Sequence, residues 1–159
     1  MITIMPCLEI LKSFSDAHID SPQSKIRVQS FQIANELIAE ANAKILIPSQ
    51  LYERVGLRLN DDQKSAFETL YSIDSSTKTA VPAYDLYQAT RLISDVESKA
   101  RFVIILTENT SSYECANNGR IKLLKPEEFI QKVNVIRALK KRGVISSIDE
   151  ALIIFLFKN

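Results

Sequence analysis

The stretch Arg101 to Phe129, RFVIILTENTSSYECANNGRIKLLKPEEF, constrains the fold more than any other part of this chain. Phe102 to Leu106 is apolar at every position, so a strand built from it has no face fit for water. Such strands belong to parallel sheets covered by helices on both sides. The polar turn Thr107-Glu108-Asn109 follows it. A short helix or loop comes next, then Gly119, a second strand from Ile121 to Leu124, and a helix opened by Pro126. A polar trio at the carboxyl end of an apolar strand stands where open α/β sheets gather their ligands.

The same alternation runs through the rest of the chain. Ile2 to Met5 reads as a first strand that Pro6 ends, and Leu8 to Phe14 as helical. Ser15 to Gln23, with Asp16, His18, Asp20 and Pro22, reads as a loop. From Lys25 to Ala43 the residues Ile26, Ile33, Ala34, Leu37, Ile38 and Ala41 form a helical stripe. Lys44 to Ile47 is a buried strand, and Pro48-Ser49 starts a helix that turns Leu51, Tyr52 and Val55 inward. Asn60 with Gln63 opens a helix through Tyr71, and Ser72 to Lys78 is a loop. Thr79 to Val81 is a short strand and Ala83 to Ser98 a helix. The helix from Pro126 carries Glu127 and Glu128 at its positive end and runs to about Arg142, where Gly143 stops it. Ser147 and Glu150 form a capping box for a last helix, Ile148 to Phe157. The expectation is one α/β domain over residues 1–159, three layers deep, with a parallel central sheet.

At 46% apolar and 25% charged residues the chain can bury a core, and a net charge of +1 gives no global pull toward nucleic acid or membrane. Cys7 and Cys115 form no metal or disulfide pattern and read as reduced thiols. No basic stretch precedes an apolar one at the N-terminus, and the longest apolar run, Ala151 to Phe157, is too short to span a bilayer. A cytoplasmic protein without membrane contact is expected. Three glycines and no glycine-rich turn argue against a flavodoxin-like or Rossmann-like nucleotide site.

Acidic residues recur just past the strands. Glu53 follows the strand at Lys44, Asp85 follows Thr79 to Val81, and Glu108 follows Phe102 to Leu106. In a parallel sheet these positions converge on one edge. Converging carboxylates suit hard divalent cations such as Mg²⁺ or Mn²⁺, which activate water and neutralise phosphate charge. Each acid alone also serves simply to complement a helix N-terminus.

The segments Lys44 to Val55 (KILIPSQLYERV), Asp85 to Asn109 and Gly119 to Phe129, in this order and spacing, resemble the PIN domain family, which includes the VapC-type toxins of toxin–antitoxin systems. Ala138 to Ile148 is similar to the end of a PIN-like group as well. The resemblance covers the chain from Lys25 through the helix at Pro126. It implies a three-layer PIN-like fold, a metal-dependent endoribonuclease ancestry, single-stranded RNA as substrate and an antitoxin-like protein as partner. It places the family's second acid on Glu53 and the third on Asp85, the two expected metal ligands. The fourth falls on Asn109, flanked by Thr107 and Glu108, and the first on Met5-Pro6-Cys7, which holds no carboxylate. Glu9 and Asp16 are near in sequence but off the motif, and Glu108 is adjacent enough to stand in for Asn109. With two of four acids missing, a degenerate site is expected, with weak or absent Mg²⁺ or Mn²⁺ binding. A non-enzymatic PIN-like module for interaction or RNA binding is the alternative.

Other residues carry weaker signals. His18, the single histidine, reads as a solvated loop residue. Lys132, Arg137, Lys140, Lys141 and Arg142 could contact phosphates, but basic residues are favoured at a helix C-terminus in any case. Leu152 to Phe157 is apolar around a whole helix, so Leu152, Ile153, Ile154, Phe155 and Phe157 are not all expected to fit one chain's core. The side left over implies a homodimer.

Overall fold

Five parallel strands form one sheet in the order β3-β2-β1-β4-β5. The computed structural model describes residues 2–7, 10, 13, 21–48, 61–62, 72–74, 102–108, 110 and 119–157. Its elements are β1 (Ile2–Pro6), α1 (Pro22–Glu40), β2 (Ala43–Pro48), β3 (Ser72–Asp74), β4 (Phe102–Leu106), β5 (Ile121–Leu124), α2 (Pro126–Lys141) and α3 (Ile148–Phe157). The fold is α/β, with a parallel central sheet and flanking helices, consistent with a three-layer PIN-like arrangement.

The alternation of side chains along each strand divides the core in two. Ile2, Ile4, Ile45, Ile47, Ile104, Leu106 and Leu124 join Phe31, Leu37, Phe129, Val133, Ile136 and Leu152 of the helices. Met5, Cys7, Leu46, Val103, Ile105, Ile121 and Leu123 form a second buried cluster. A sheet buried on both faces is why the strands read as near-continuous apolar runs. One polar atom is out of place in it. The Oγ1 of Thr3, wholly buried in β1, has no hydrogen-bond partner among the described residues.

β1 lies at the centre, and its backbone explains the shape of the sheet. It pairs with β4 along its length, from Ile2↔Phe102 to Pro6↔Leu106. It pairs with β2 only from Ile2↔Ala43 to Ile4↔Ile45. The Ile2 N–H donates to Asn42 O at 3.0 Å, on the β2 side. In a parallel ladder successive residues address opposite neighbours, so the even positions of β1 face β2. Pro6 is the next even position after Ile4 and has no N–H. The β1–β2 ladder therefore stops one step short, while on its other edge β2 pairs with β3 from Leu46↔Ser72 to Pro48↔Asp74.

The helices begin and end where local chemistry dictates. Ser21 caps α1, its hydroxyl accepting the Ser24 N–H at 3.1 Å, and proline occupies the first turn. The helix expected from Lys25 thus starts at Pro22, inside the segment read as a loop. It ends at Glu40, because Ala41 is extended and Ala43 already belongs to β2. Pro48 closes β2, although the sequence reading made it a helix start. Ser72–Asp74, read as part of a loop for its Ser and Asp content, is β3. Ile10 and Ser13 are helical, as are Asp61 and Asp62, in line with the helices expected there. The segments 79–81 and 83–98 lie outside the described residues.

Strands β4 and β5 and helices α2 and α3 match their expected positions. Gly143, at φ +78°, ends α2 in a Schellman turn: its N–H donates to Lys140 O, and Val144 N–H to Leu139 O, both at 3.0 Å. The Ser147 hydroxyl caps α3 by accepting the Glu150 N–H at 3.4 Å, and it also bonds the Asp149 carboxylate. Leu152, Leu156 and Phe157 are buried in α3, while Ile154 (53%) and Phe155 (45%) stay exposed. No helix among the described residues is long and apolar enough to cross a membrane.

Arg137 clamps α2 to α1. Its Nε and Nη2 grip the two oxygens of Glu40 at 2.9 and 2.8 Å, and Nη2 also reaches Glu36 at 2.6 Å. Partial burial works against its charge, but the bonds to Glu36 and Glu40 outweigh that and hold its pKa above the ordinary arginine value.

Two stability effects follow from this packing. Thr3→Val keeps the branched shape but removes the orphan hydroxyl, so it should raise the unfolding free energy by about 1 kcal/mol in urea titrations. Arg137→Lys keeps the charge but loses the fork. It should cost roughly 0.5–1 kcal/mol, and Arg137→Met should cost no less.

Candidate functional site

The strand order reverses between β1 and β4, with β2 and β3 to one side and β5 to the other. At such a point the connections leave in opposite directions and a crevice opens beyond the carboxyl ends. Here that edge is held by two backbone bonds. Cys7 N–H donates to Leu106 O at 2.9 Å, and Thr107 N–H to Leu124 O at 3.1 Å. The chain thus stays paired for one residue past both strands. Thr107 and Cys7 are buried there, and Cys7 is in no disulfide among the described residues.

Glu108 comes next and turns toward the start of α1. Its carboxylate accepts from Arg27 Nε at 3.2 Å and from the Gln23 amide. Arg27 and Glu108 are 28% and 25% exposed, so water screens the pair only in part. The N-cap at Ser21 fixes how α1 enters this edge, and Gln23 and Arg27, four residues apart, project from one side of it. Pro6, buried at the end of β1, is the partner of Leu106 and shares the face of Leu106 rather than that of Thr107. The position expected for a first acid therefore lies on the same side of the sheet as α1.

Of the sequence-derived site residues, the structure places Thr107 and Glu108 at this edge. Glu53, Asp85 and Asn109 lie outside the described residues, as does His18. Sequence reading missed Gln23 and Arg27, which it had put in a loop and on an unassigned helix face. A signal was present: Ser21-Pro22 is a capped, proline-opened helix start, and a helix after β1 must begin at the carboxyl edge. It also missed Asp74, whose backbone ends β3 at this edge, opposite Pro48. Arg137, considered above for phosphate contact, is committed instead to Glu36 and Glu40.

Among the described side chains, this edge offers the Glu108 carboxylate, already matched by a guanidinium, with the buried Cys7 thiol and Thr107 hydroxyl. Among the described residues no group of three or more His, Cys, Asp or Glu side chains is arranged to hold a metal ion. These residues alone do not fit a divalent cation, which needs several uncompensated oxygens. No protein-family model matches this chain, and no curated protein matches it.

The Arg27–Glu108 pair is open to a double-mutant cycle of Arg27→Met and Glu108→Gln. Urea unfolding should give a coupling of about 0.5–1 kcal/mol, shrinking in 1 M salt, as for partly exposed pairs.

Proposed function

We propose that this chain is a PIN-like protein derived from metal-dependent endoribonucleases that cut single-stranded RNA, with a degenerate cleavage site. The observation that carries the reading is the ion pair of Glu108 with Arg27 at the switch point of a parallel sheet ordered β3-β2-β1-β4-β5. The topology brings strand-end residues to the edge where such chemistry resides. The ion pair compensates the one described carboxylate, and Pro6 stands where a first acid is expected. Asn109, in place of a fourth acid, removes a further charge. A strongly hydrated Mg²⁺ gives up its water only to a dense set of anionic oxygens, and this edge has been thinned of them. The described donors at this edge, the Arg27 guanidinium and the Gln23 amide, are of the kind that hold a phosphate or a carboxylate. RNA, or an acidic antitoxin-like segment, is the class of ligand this favours.

Calorimetry with Mn²⁺ tests the reading. The wild-type chain should show no binding tighter than millimolar. Pro6→Asp with Asn109→Asp should tighten it at least tenfold, because two carboxylates return to the edge. Micromolar Mn²⁺ affinity in the wild type, together with metal-dependent cleavage of a single-stranded RNA, would sink the degenerate-site reading.

A further inference from the structure

Arg137 and Arg27 are held in contrasting ways. Arg137 grips Glu40 through a fork, with Nε at 2.9 Å and Nη2 at 2.8 Å on its two oxygens, and Nη2 also reaches Glu36 at 2.6 Å. Two-toothed bonding of this kind fixes a guanidinium in place. Arg27 instead reaches Glu108 through Nε alone, to Oε1 at 3.2 Å, which is long for a charged hydrogen bond. The Gln23 amide donates to the same oxygen. Among the described residues the Nη1 and Nη2 amines of Arg27 have no partner, so most donors of this guanidinium are unused. Its side chain is 28% exposed, so a small solute can reach it from the crevice.

We propose that the Glu108 carboxylate is a tethered competitor at this pair: a phosphate monoester group displaces it and takes the Arg27 fork, with the Gln23 amide on one of its oxygens. This rests on the reading of the edge as one that holds anions, and adds which anion it holds and what keeps it closed. The class of ligand follows from what Glu108 leaves undone. A carboxylate offers one charge and two oxygens, which Glu108 already supplies from within the chain. A free carboxylate must also give up its translational freedom to bind, so it gains nothing over Glu108. A phosphate monoester carries about −1.5 to −2 charge near neutral pH and three acceptor oxygens. It can span Nε and an Nη amine, as Glu40 does on Arg137, and still accept from Gln23. Gln23 and Arg27 are four residues apart on α1, so both can meet one ligand. Glu108 follows a strand whose register is set by β1 and β5, so its side chain turns away while the backbone stays. With Glu108 seated, its charge cancels that of Arg27 toward an approaching anion. With Glu108 displaced, the guanidinium faces the crevice.

Titration of the full chain with inorganic phosphate, in EDTA and at constant ionic strength, tests this without any metal. Heteronuclear NMR follows the backbone amides of Gln23 and Glu108 and, where present, the Arg27 Nε–H. The wild type should bind in the millimolar range, because Glu108 competes. Glu108→Gln, and Glu108→Ala as a second form of the same change, should bind about threefold tighter or more, with far-UV circular dichroism unchanged. Arg27→Met should weaken binding by about tenfold or more, and Gln23→Ala by about threefold. Acetate should shift the wild-type signals far less than phosphate at equal concentration. A purely structural ion pair gives a different pattern, in which both charge variants lose stability and neither gains affinity for phosphate. Glu108 variants that bind phosphate no tighter than the wild type overturn the proposal. So does Arg27→Met binding as the wild type does, or acetate matching phosphate. Metal-dependent RNA cleavage by the wild type would overturn the degenerate-site reading alone, because no metal enters this titration.

Discussion

The hydrogen-bonding obligation of β1 governs the rest of the structure. As the central strand it serves two neighbours, and each of its residues can address only one of them. The odd residues are committed to β4, and Cys7 continues that series beyond the strand. The even residues are committed to β2 until Pro6, which has nothing to donate. One imino acid thus decides where β1 and β2 part. Proline is tolerated in an inner strand only because it is the last residue, where the ladder would end within a step or two anyway. Pro48 is likewise the last residue of β2.

That constraint reaches the candidate site through geometry rather than contact. With the β1–β4 ladder complete to Pro6↔Leu106, the turn after β4 emerges level with the end of β1. Glu108 therefore meets the first turns of α1, whose start is fixed by Ser21 and Pro22. The electrostatics follow from who arrives there. An acid that would otherwise face a crevice unmatched finds a guanidinium and an amide donor from one helix. Glu36 and Glu40, at the far end of the same helix, take Arg137 from α2. α1 thus carries a cation toward the carboxyl edge and two anions toward the opposite end, and both ends are matched by a neighbouring element.

Much of this was legible in the sequence, and the exceptions share a cause. Strands β4 and β5 and helices α2 and α3 were readable because apolar runs and cap residues agree: Leu106 is followed by a polar turn, Pro126 by two acids, Arg142 by a glycine. The order of elements was enough to indicate a parallel sheet. The misreadings fall where a residue with a strong local preference plays a second role. Pro22 looked like loop punctuation and is the first turn of a helix. Pro48 looked like a helix start and is the end of a strand. Ser72 and Asp74 looked like turn chemistry and are a short edge strand, whose pairing with β2 overrides propensity. At the edge, Thr107 and Glu108 could be found from their place after an apolar run. Arg27 and Gln23 could not, because they lie 81 and 85 residues before their partner Glu108, and pairing at that range is a property of the fold.

The absence of a carboxylate at Pro6 and the presence of Arg27 bear on each other. A carboxylate introduced at position 6 would lie on the α1 side of the sheet, the side from which Arg27 reaches Glu108. It would share that side of the sheet with the guanidinium that Glu108 already holds. A site of two acids and one arginine has a net charge of about −1, whereas the same two acids without the arginine would present −2. Divalent cations respond to that difference, since Coulomb attraction scales with the charge presented and dehydration does not. Adding acids at this edge therefore works against the arginine already there. Arg27→Gln in the background of the two restored acids should strengthen Mn²⁺ affinity further, by roughly tenfold, if Arg27 opposes the metal through its charge. Calorimetry that finds the triple variant no tighter than the double one would show instead that the guanidinium lies outside the reach of the metal.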